Sequence, residues 1–387
     1  MAGEGAGTSR RRTIGVEEEL LLVDAADGTA RSVASEVVRV ARRRGDADAG
    51  PDADAGGSVG LELQEQQIET DTPPAEDLET LEAELRGWRE KARAAAEGTG
   101  ALILASGTTP LPVHPRTVDD PRYREMAERF GLTASEQLTC GFHVHVSVDS
   151  DDEAVGVLDR IRVWLPVLLA LSANSPFWQG ADSGYASYRS QVLTRWPTNG
   201  PTEVFGTGEA YDAHLRLLTG TGVPLDEGMA YFDARPSRRY PTVEIRAADV
   251  CLDPRDAVLV AALCRALVDT AATAWQEGQP PPLASVTLLR LAMWQAGRFG
   301  MSAELLHPLT HRPQGADAVV AALAAHVEPA LRVNGDLERV REHLDRLQAT
   351  GTGAVRQRAV LAEEGDMGRA VVRLAHLSCA GPLGSHH

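Results

Sequence analysis

The sequence predicts an α+β fold, with one antiparallel sheet that has a polar working face and helices packed on its other face. Two observations carry this. Three well-separated stretches alternate apolar and ionisable residues with a period of two, which is the periodicity of a strand. Other segments repeat their apolar residues at helical spacing. Strands that are apolar on one side only suit an antiparallel sheet, not the doubly covered parallel sheet of α/β proteins.

The first strand is Thr13–Val23. Ile14, Val16, Leu20 and Leu22 share one face, with Glu18 as the exception, and Glu17 and Glu19 occupy the other. The second is Cys140–Val148, where Phe142, Val144, Val146 and Val148 oppose His143, His145 and Ser147. The third is Tyr240–Ala248, where Val243, Ile245 and Ala247 oppose Thr242, Glu244 and Arg246. A fourth candidate, Val59–Thr70, is less regular. Glu65, Gln67 and Glu69 share a face, but Leu61 and Leu63 share it too. Among the helices, Leu78, Leu81, Leu85 and Trp88 follow Pro73-Pro74 and end at Gly98. A second helix opens at Asp253-Pro254, an N-cap with proline at the first helical position, and runs to about Gly278. A third covers Asp152–Ala173. Asp46–Ser58, rich in Asp, Ala and Gly, reads as a surface loop.

Composition narrows the function. The chain has 387 residues, 43% hydrophobic and 24% charged, which is ample for a globular core. Its net charge of −17 repels phosphate backbones and acidic headgroups, so neither nucleic acid nor a membrane surface is expected as a partner. Lys91 is the sole lysine, so any cation that handles phosphate is an arginine or a metal. The four cysteines, Cys140, Cys251, Cys264 and Cys379, show no CxxC pattern. That fits a reducing, cytoplasmic setting. The apolar stretches Val163–Ala173 and Ala257–Trp275 are broken by Pro166, and by Arg265 and Asp269, so no membrane span is expected. The polar, basic N-terminus lacks the apolar stretch of a secretory signal.

The polar strand faces point to a metal–phosphate site. Neighbours on one strand face are roughly 6.5–7 Å apart. Glu17 with Glu19, and Glu65 with Glu69, would therefore crowd negative charge that repels unless a cation joins it. Oxygen-rich sets of this kind suit Mg2+ or Mn2+ and tolerate a histidine or two. Arg246 beside Glu244 adds a fixed donor for phosphate. Plainer readings exist for each feature alone: a solvated edge for Glu17–Glu19, core histidines or a zinc pair for His143 and His145, an exposed ion pair for Glu244 and Arg246. Their common placement on the non-apolar faces of separate strands favours one shared site. Neither GxxxxGK[ST] nor a strand-to-helix GxGxxG is present.

At these residues the chain resembles the glutamate–cysteine ligase type 2 family of carboxylate–amine ligases. The matching stretches are Gly15–Leu20, Glu65–Thr70, Gly141–Ser147, Ala170–Gly180, Ala186–Gln191 with Trp196–Pro201, Arg235–Ser237 with Thr242–Arg246, and Trp294–Gly300. They stand in the family's order over residues 12–300 or so. The resemblance implies a glutamine synthetase/guanido kinase-like fold, in which a curved antiparallel sheet forms a funnel with helices outside. One ATP-dependent ligase domain is expected over residues 12–380, with the Gly-rich, polar stretch 1–11 as a disordered tail and 381–387 as a flexible one. ATP and Mg2+ (or Mn2+) would be the cofactors. The reaction would phosphorylate a carboxylate, often the γ-carboxylate of glutamate, and condense it with the amine of cysteine or another amino acid. Small molecules are thus the partners, and a homo-oligomer is compatible. Carried over by position, Glu17, Glu19, Glu65, Glu69, His143 and Glu244 hold metal, with His145 beside them. Glu65, Glu244 and Arg246 serve catalysis. Arg189, Arg235, Arg246 and Arg298 bind substrate or ATP. The competing functions are a zinc-dependent hydrolase using His143 and His145, and a non-catalytic ligase-like binding module.

Overall fold

A computed structural model describes residues 11–47 and 56–379. Most of the 1–11 tail, the middle of the Asp46–Ser58 loop and the 381–387 tail lie outside the described residues. The central element is a seven-stranded sheet: β1 Ile14–Asp24, β2 Ser58–Leu61, β3 Gln67–Asp71, β4 Ala101–Leu104, β5 Gly141–Ser147, β6 Ala234–Pro236 and β7 Thr242–Asp249. The spatial order is β2-β3-β1-β5-β7-β6, and β4 also pairs with β1. Every pairing is antiparallel. Leu21 faces Gln67 of β3 on one side and Leu104 of β4 on the other, so β4 continues the edge along which β5 runs.

The alternation read from the sequence sets which face is dry. Ile14, Val16, Phe142, Val144, Val146, Val243 and Ile245 are buried in one core with Leu158, Leu168 and Val258. Those three come from the helices Asp151–Ile161, Leu165–Ser172 and Pro254–Gln276. Leu20 and Leu22 enter a second core with Ile68, Val37 and Ala92. Helix Pro254–Gln276 is long and apolar enough to cross a membrane by composition, but here it is largely buried as the central core helix. Asp253 accepts from the Arg255 amide at its start, the cap the sequence predicts.

Two expected elements are split. Asp152–Ala173 is two helices, Asp151–Ile161 and Leu165–Ser172, because Pro166 cannot donate to a carbonyl four residues back. Val59–Thr70 is not one strand but the hairpin β2–β3, whose turn contains Glu65 and Gln66.

The exception on β1 has its partner. Glu18 is 1% exposed and meets Arg89 of helix Leu78–Glu97, also 1% exposed. Arg89 donates to both Glu18 oxygens, at 2.7 and 2.6 Å, and to the carbonyls of Leu252, Ser378 and Cys251 at 3.1, 2.8 and 2.6 Å. All five guanidinium donors are thus used, and the pair ties β1 to the segment after β7 and to the last helix. Removing one partner strands the other charge in the core, so Glu18→Gln should cost about 3–5 kcal/mol of stability. Urea denaturation measures this; a loss well under 1 kcal/mol would show that the pair does not hold the sheet.

Candidate active site

The polar face of the sheet lines a cavity of about 1310 Å³. That exceeds the roughly 300–1,000 Å³ of ordinary ligand sites, so it has room for more than one substrate. Strand register fixes what meets there. Asp71, Glu17 and His143 form one row across β3, β1 and β5. Glu19 stands opposite Glu69, and His145 opposite Glu244, which in turn faces Arg235. The register of β5 on β7 shifts between Phe142 and Val144. The Gly141 amide donates to Glu19 at 2.6 Å. Any side chain at Gly141 would collide with Arg189, whose Nη2 lies 2.3 Å from where a Cβ would sit.

Three overlapping groups have ligand atoms within 4.8 Å of one another: Glu17, Glu69 and His143; Glu17, His145 and Glu244; and Glu19, Glu62 and Glu69. Glu17 sits between the two rings, with His143 Nδ1 3.1 Å from one oxygen and His145 Nε2 3.2 Å from the other. Burial opposes its charge, but His143 and His145 hold the Glu17 carboxyl well below its usual range. Burial also works against a charged Glu244, yet Arg246 and Arg235 bring it down to about 2. Arg235 Nε donates to it at 2.7 Å, and Arg246 pairs with its other oxygen. The third group has weaker relief, with Arg246 acting on Glu62 only from a distance. Burial and Glu19 push Glu62 up to about 7. Burial, then Glu17 and Glu62, raise Glu69 well above its usual value. These carboxylates take up protons unless a cation replaces them, and an all-oxygen set is suited to Mg2+ or Mn2+. The donor sets therefore fit the metal that the resemblance implies.

Glu17, Glu19, Glu69, His143, His145, Arg189, Arg235, Glu244 and Arg246 all line this cavity. Two expected residues do not. Glu65 lies in the β2–β3 turn and accepts from the amide and hydroxyl of Ser35, at 3.0 and 2.5 Å, at the start of helix Ala34–Arg44. Its oxygens are taken up at that helix end, outside the cavity and its ligand groups. Arg298 lies past the cavity, with its guanidinium over the rings of Tyr185 and Phe299; Arg290, on the same helix Val286–Phe299, lines the cavity instead. Reasoning from the sequence missed Glu62. A single strand over Val59–Thr70 puts it on the wrong face, and only the break into a hairpin turns it inward. The available signal was an acid inside an otherwise apolar run, Val59–Leu63.

The model of glutamate–cysteine ligase family 2 matches residues 13–373. The chain belongs to this family. Among its curated relatives, "Putative glutamate--cysteine ligase 2" of Streptomyces coelicolor is 52% identical over 356 residues, 92% of this chain and 96% of that protein. "Putative glutamate--cysteine ligase 2-1" of Paenarthrobacter aurescens is 50% identical over 90% of each chain. Among solved structures, the glutamate–cysteine ligase of Francisella tularensis in complex with AMP aligns with a TM-score of 0.70 at 13% identity, over 97% of this chain and 91% of that one. A bifunctional glutathione synthetase from Pasteurella multocida aligns at 0.67 and 17%, over 96% of this chain and 53% of that one. At such identities these two establish the fold, the one expected for a glutamate–cysteine ligase family 2 chain.

Glu62→Gln should weaken Mn2+ binding by about tenfold or more, since loss of outer-shell partners alone typically costs 10–100-fold. Glu65→Gln should leave it unchanged. Calorimetric Mn2+ titration of both variants decides; a loss in Glu65→Gln with none in Glu62→Gln would reverse the assignment.

Proposed function

We propose that this chain uses ATP and Mg2+ to phosphorylate the γ-carboxylate of glutamate and joins the resulting acyl group to the amine of cysteine or another amino acid. One observation carries the reading: three ligand groups, chained together through Glu17 and Glu69, stand on one wall beside arginines, in a cavity large enough for nucleotide and substrates together. Family membership and the relatives' names support the carboxylate–amine ligase activity. The structural relative in complex with AMP supports the use of a nucleotide.

A carboxylate is a poor acyl donor because its leaving group would be oxide. Transfer of the γ-phosphoryl group to it gives a good leaving group. That transfer is catalysed mainly by positioning and by neutralising charge on the phosphoryl oxygens. Mg2+ held by Glu19, Glu62 and Glu69, and by the two Glu17 groups, would supply much of this neutralisation. Arg246 supplies the rest as a planar fork that stays charged at any working pH. Glu244 grips Arg246 from one side, and the Arg246 guanidinium also lies 3.5 Å from His143 Nδ1, so its direction is set before substrate arrives. Arg189, buried at the Glu19 end of the cavity, would bind a carboxylate of the amino-acid substrate. A zinc hydrolase built on His143 and His145 gains nothing from this geometry: the two rings address opposite oxygens of Glu17 and fall into different ligand groups.

Purified protein with ATP, Mg2+, L-glutamate and a panel of amino acids should release ADP and phosphate and yield one γ-glutamyl product, the sum of its parts less one water by mass spectrometry. Absence of nucleotide turnover with every acceptor would sink the ligase reading. Glu244→Gln should abolish turnover in a folded protein. Arg246→Lys should lower kcat by roughly 100-fold or more, as loss of a charge-stabilising donor does; a Lys variant with full activity would remove Arg246 from phosphoryl transfer.

A further inference from the structure

The acceptor amino acid presents a problem that the metal–phosphate groups do not solve. Its nitrogen arrives as an ammonium ion, which has no lone pair. One proton must leave before it can attack. The group that takes this proton should be anionic, open to the cavity on one side, and uncommitted to another partner.

Asp233 meets these conditions. It immediately precedes β6, and its carbonyl accepts from the Arg246 amide at 2.9 Å, so it lies directly across from the phosphate-binding arginine. The residue is 8% exposed and lines the cavity. Among the described residues its Oδ2 has no hydrogen-bond partner. Unpaired buried oxygens are rare in folded proteins and call for an explanation. Two cationic side chains act on it, Arg189 and Arg290, and both line the same cavity. Arg189 is itself incompletely used. Its Nη2 donates to the Arg246 carbonyl at 3.4 Å, Nη1 stays 3.7 Å from Asp249, and neither Nε nor Nη1 makes a hydrogen bond. A buried carboxylate and a buried guanidinium with spare capacity, side by side on one wall, match the ammonium and carboxylate groups of an amino acid.

We propose that Asp233 receives the ammonium group of the acceptor amino acid and is the base that takes its proton. The inference rests on the ligase reading above. The ammonium N–H bond breaks and its proton passes to an Asp233 oxygen. The freed lone pair forms the C–N bond at the acyl carbon, and the C–O bond to phosphate breaks with its electrons on phosphate. The departing phosphate takes the second nitrogen-bound proton, leaving a neutral amide. Burial lifts the Asp233 carboxyl to about 7 against the pull of Arg189 and Arg290, which suits a base at neutral pH.

Hydroxylamine separates this role from a structural one, because it is already neutral at pH 7 and needs no base. The experiment compares wild type with Asp233→Asn and Asp233→Glu. Each is assayed with ATP, Mg2+ and L-glutamate, using hydroxylamine or whichever of the twenty amino acids gives most product with wild type. In Asp233→Asn, peptide formation should fall by about 100-fold or more, the usual contribution of a general base. Hydroxamate formation should fall far less, and Asp233→Glu should recover part of the peptide activity. Equal losses with both acceptors would overturn the proposal in favour of a positioning role for Arg189. Undiminished peptide formation in Asp233→Asn would overturn it outright, as would wild type that forms hydroxamate but no peptide with any amino acid. Failure of wild type to turn over ATP even with hydroxylamine would instead refute the underlying ligase reading.

Discussion

The arrangement turns on one electrostatic constraint: strand pairing sets carboxylates directly opposite carboxylates. Glu19 faces Glu69, and Glu17 faces Asp71, across the β1–β3 ladder. Like charges in directly opposed positions destabilise a sheet, and here they do so on the half-buried wall of the cavity. The protein offsets this unevenly. Glu17 is flanked by two histidines and Glu244 by two arginines, while Glu19, Glu62 and Glu69 crowd one another with only the Gly141 amide on Glu19 and the more distant charge of Arg246 in relief. The third group, all oxygen, is the one whose charge an external cation would offset most. The stabilisation that keeps these groups together comes from the opposite face, where the same strands bury Val16, Val144, Val146 and Ile245 against helices.

β1 shows how finely this is divided. Its three consecutive glutamates meet three fates set by strand geometry. Glu17 and Glu19 point into the cavity, and Glu18 points into the core and ends on Arg89. A buried pair of this kind adds little net stability over an apolar substitute. What it adds here is register. The strand cannot slip by one residue without driving two glutamates into the core and leaving Arg89 without its carboxylate. The pair thereby guards the order of the ligands.

Where the fold was legible in the sequence, parity made it so. Period two on β1, β5 and β7 placed Glu17, Glu19, His143, His145, Glu244 and Arg246 on one surface, because burial on one side forces every second residue to the other. The same argument failed at Glu65 because parity holds only while a strand continues. The turn at Glu65-Gln66 resets it, bringing Glu62 inward and sending Glu65 to the amide of Ser35. Arg298 failed for a related reason. A motif names residues, but which ones reach a cavity depends on how far the helix extends past its edge, and this helix offers Arg290, Met293 and Trp294 first. Asp233 carried no periodic signal, since it precedes a strand of three residues.

The choice of cation shapes the chemistry further. The only lysine, Lys91, stacks on Trp88 and does not line the cavity, so arginines, among them Arg189, Arg235, Arg246 and Arg290, supply the fixed positive charge there. Guanidinium groups bind phosphate and carboxylate well, but they neither accept nor release protons at working pH. Proton handling therefore falls to the carboxylates and histidines. Of these, His143 and His145 sit on Glu17, Glu244 is held by its arginines, Asp71, Asp226 and Glu227 are paired with Ser58, Arg122 and Arg238, and on the proposed reading the Glu19, Glu62 and Glu69 set takes the metal. If phosphate is neutralised by arginine and metal, as proposed, one acid must stand apart from both for the amine. In this wall that acid is Asp233, across one strand from Arg246 and free of a fixed partner on Oδ2.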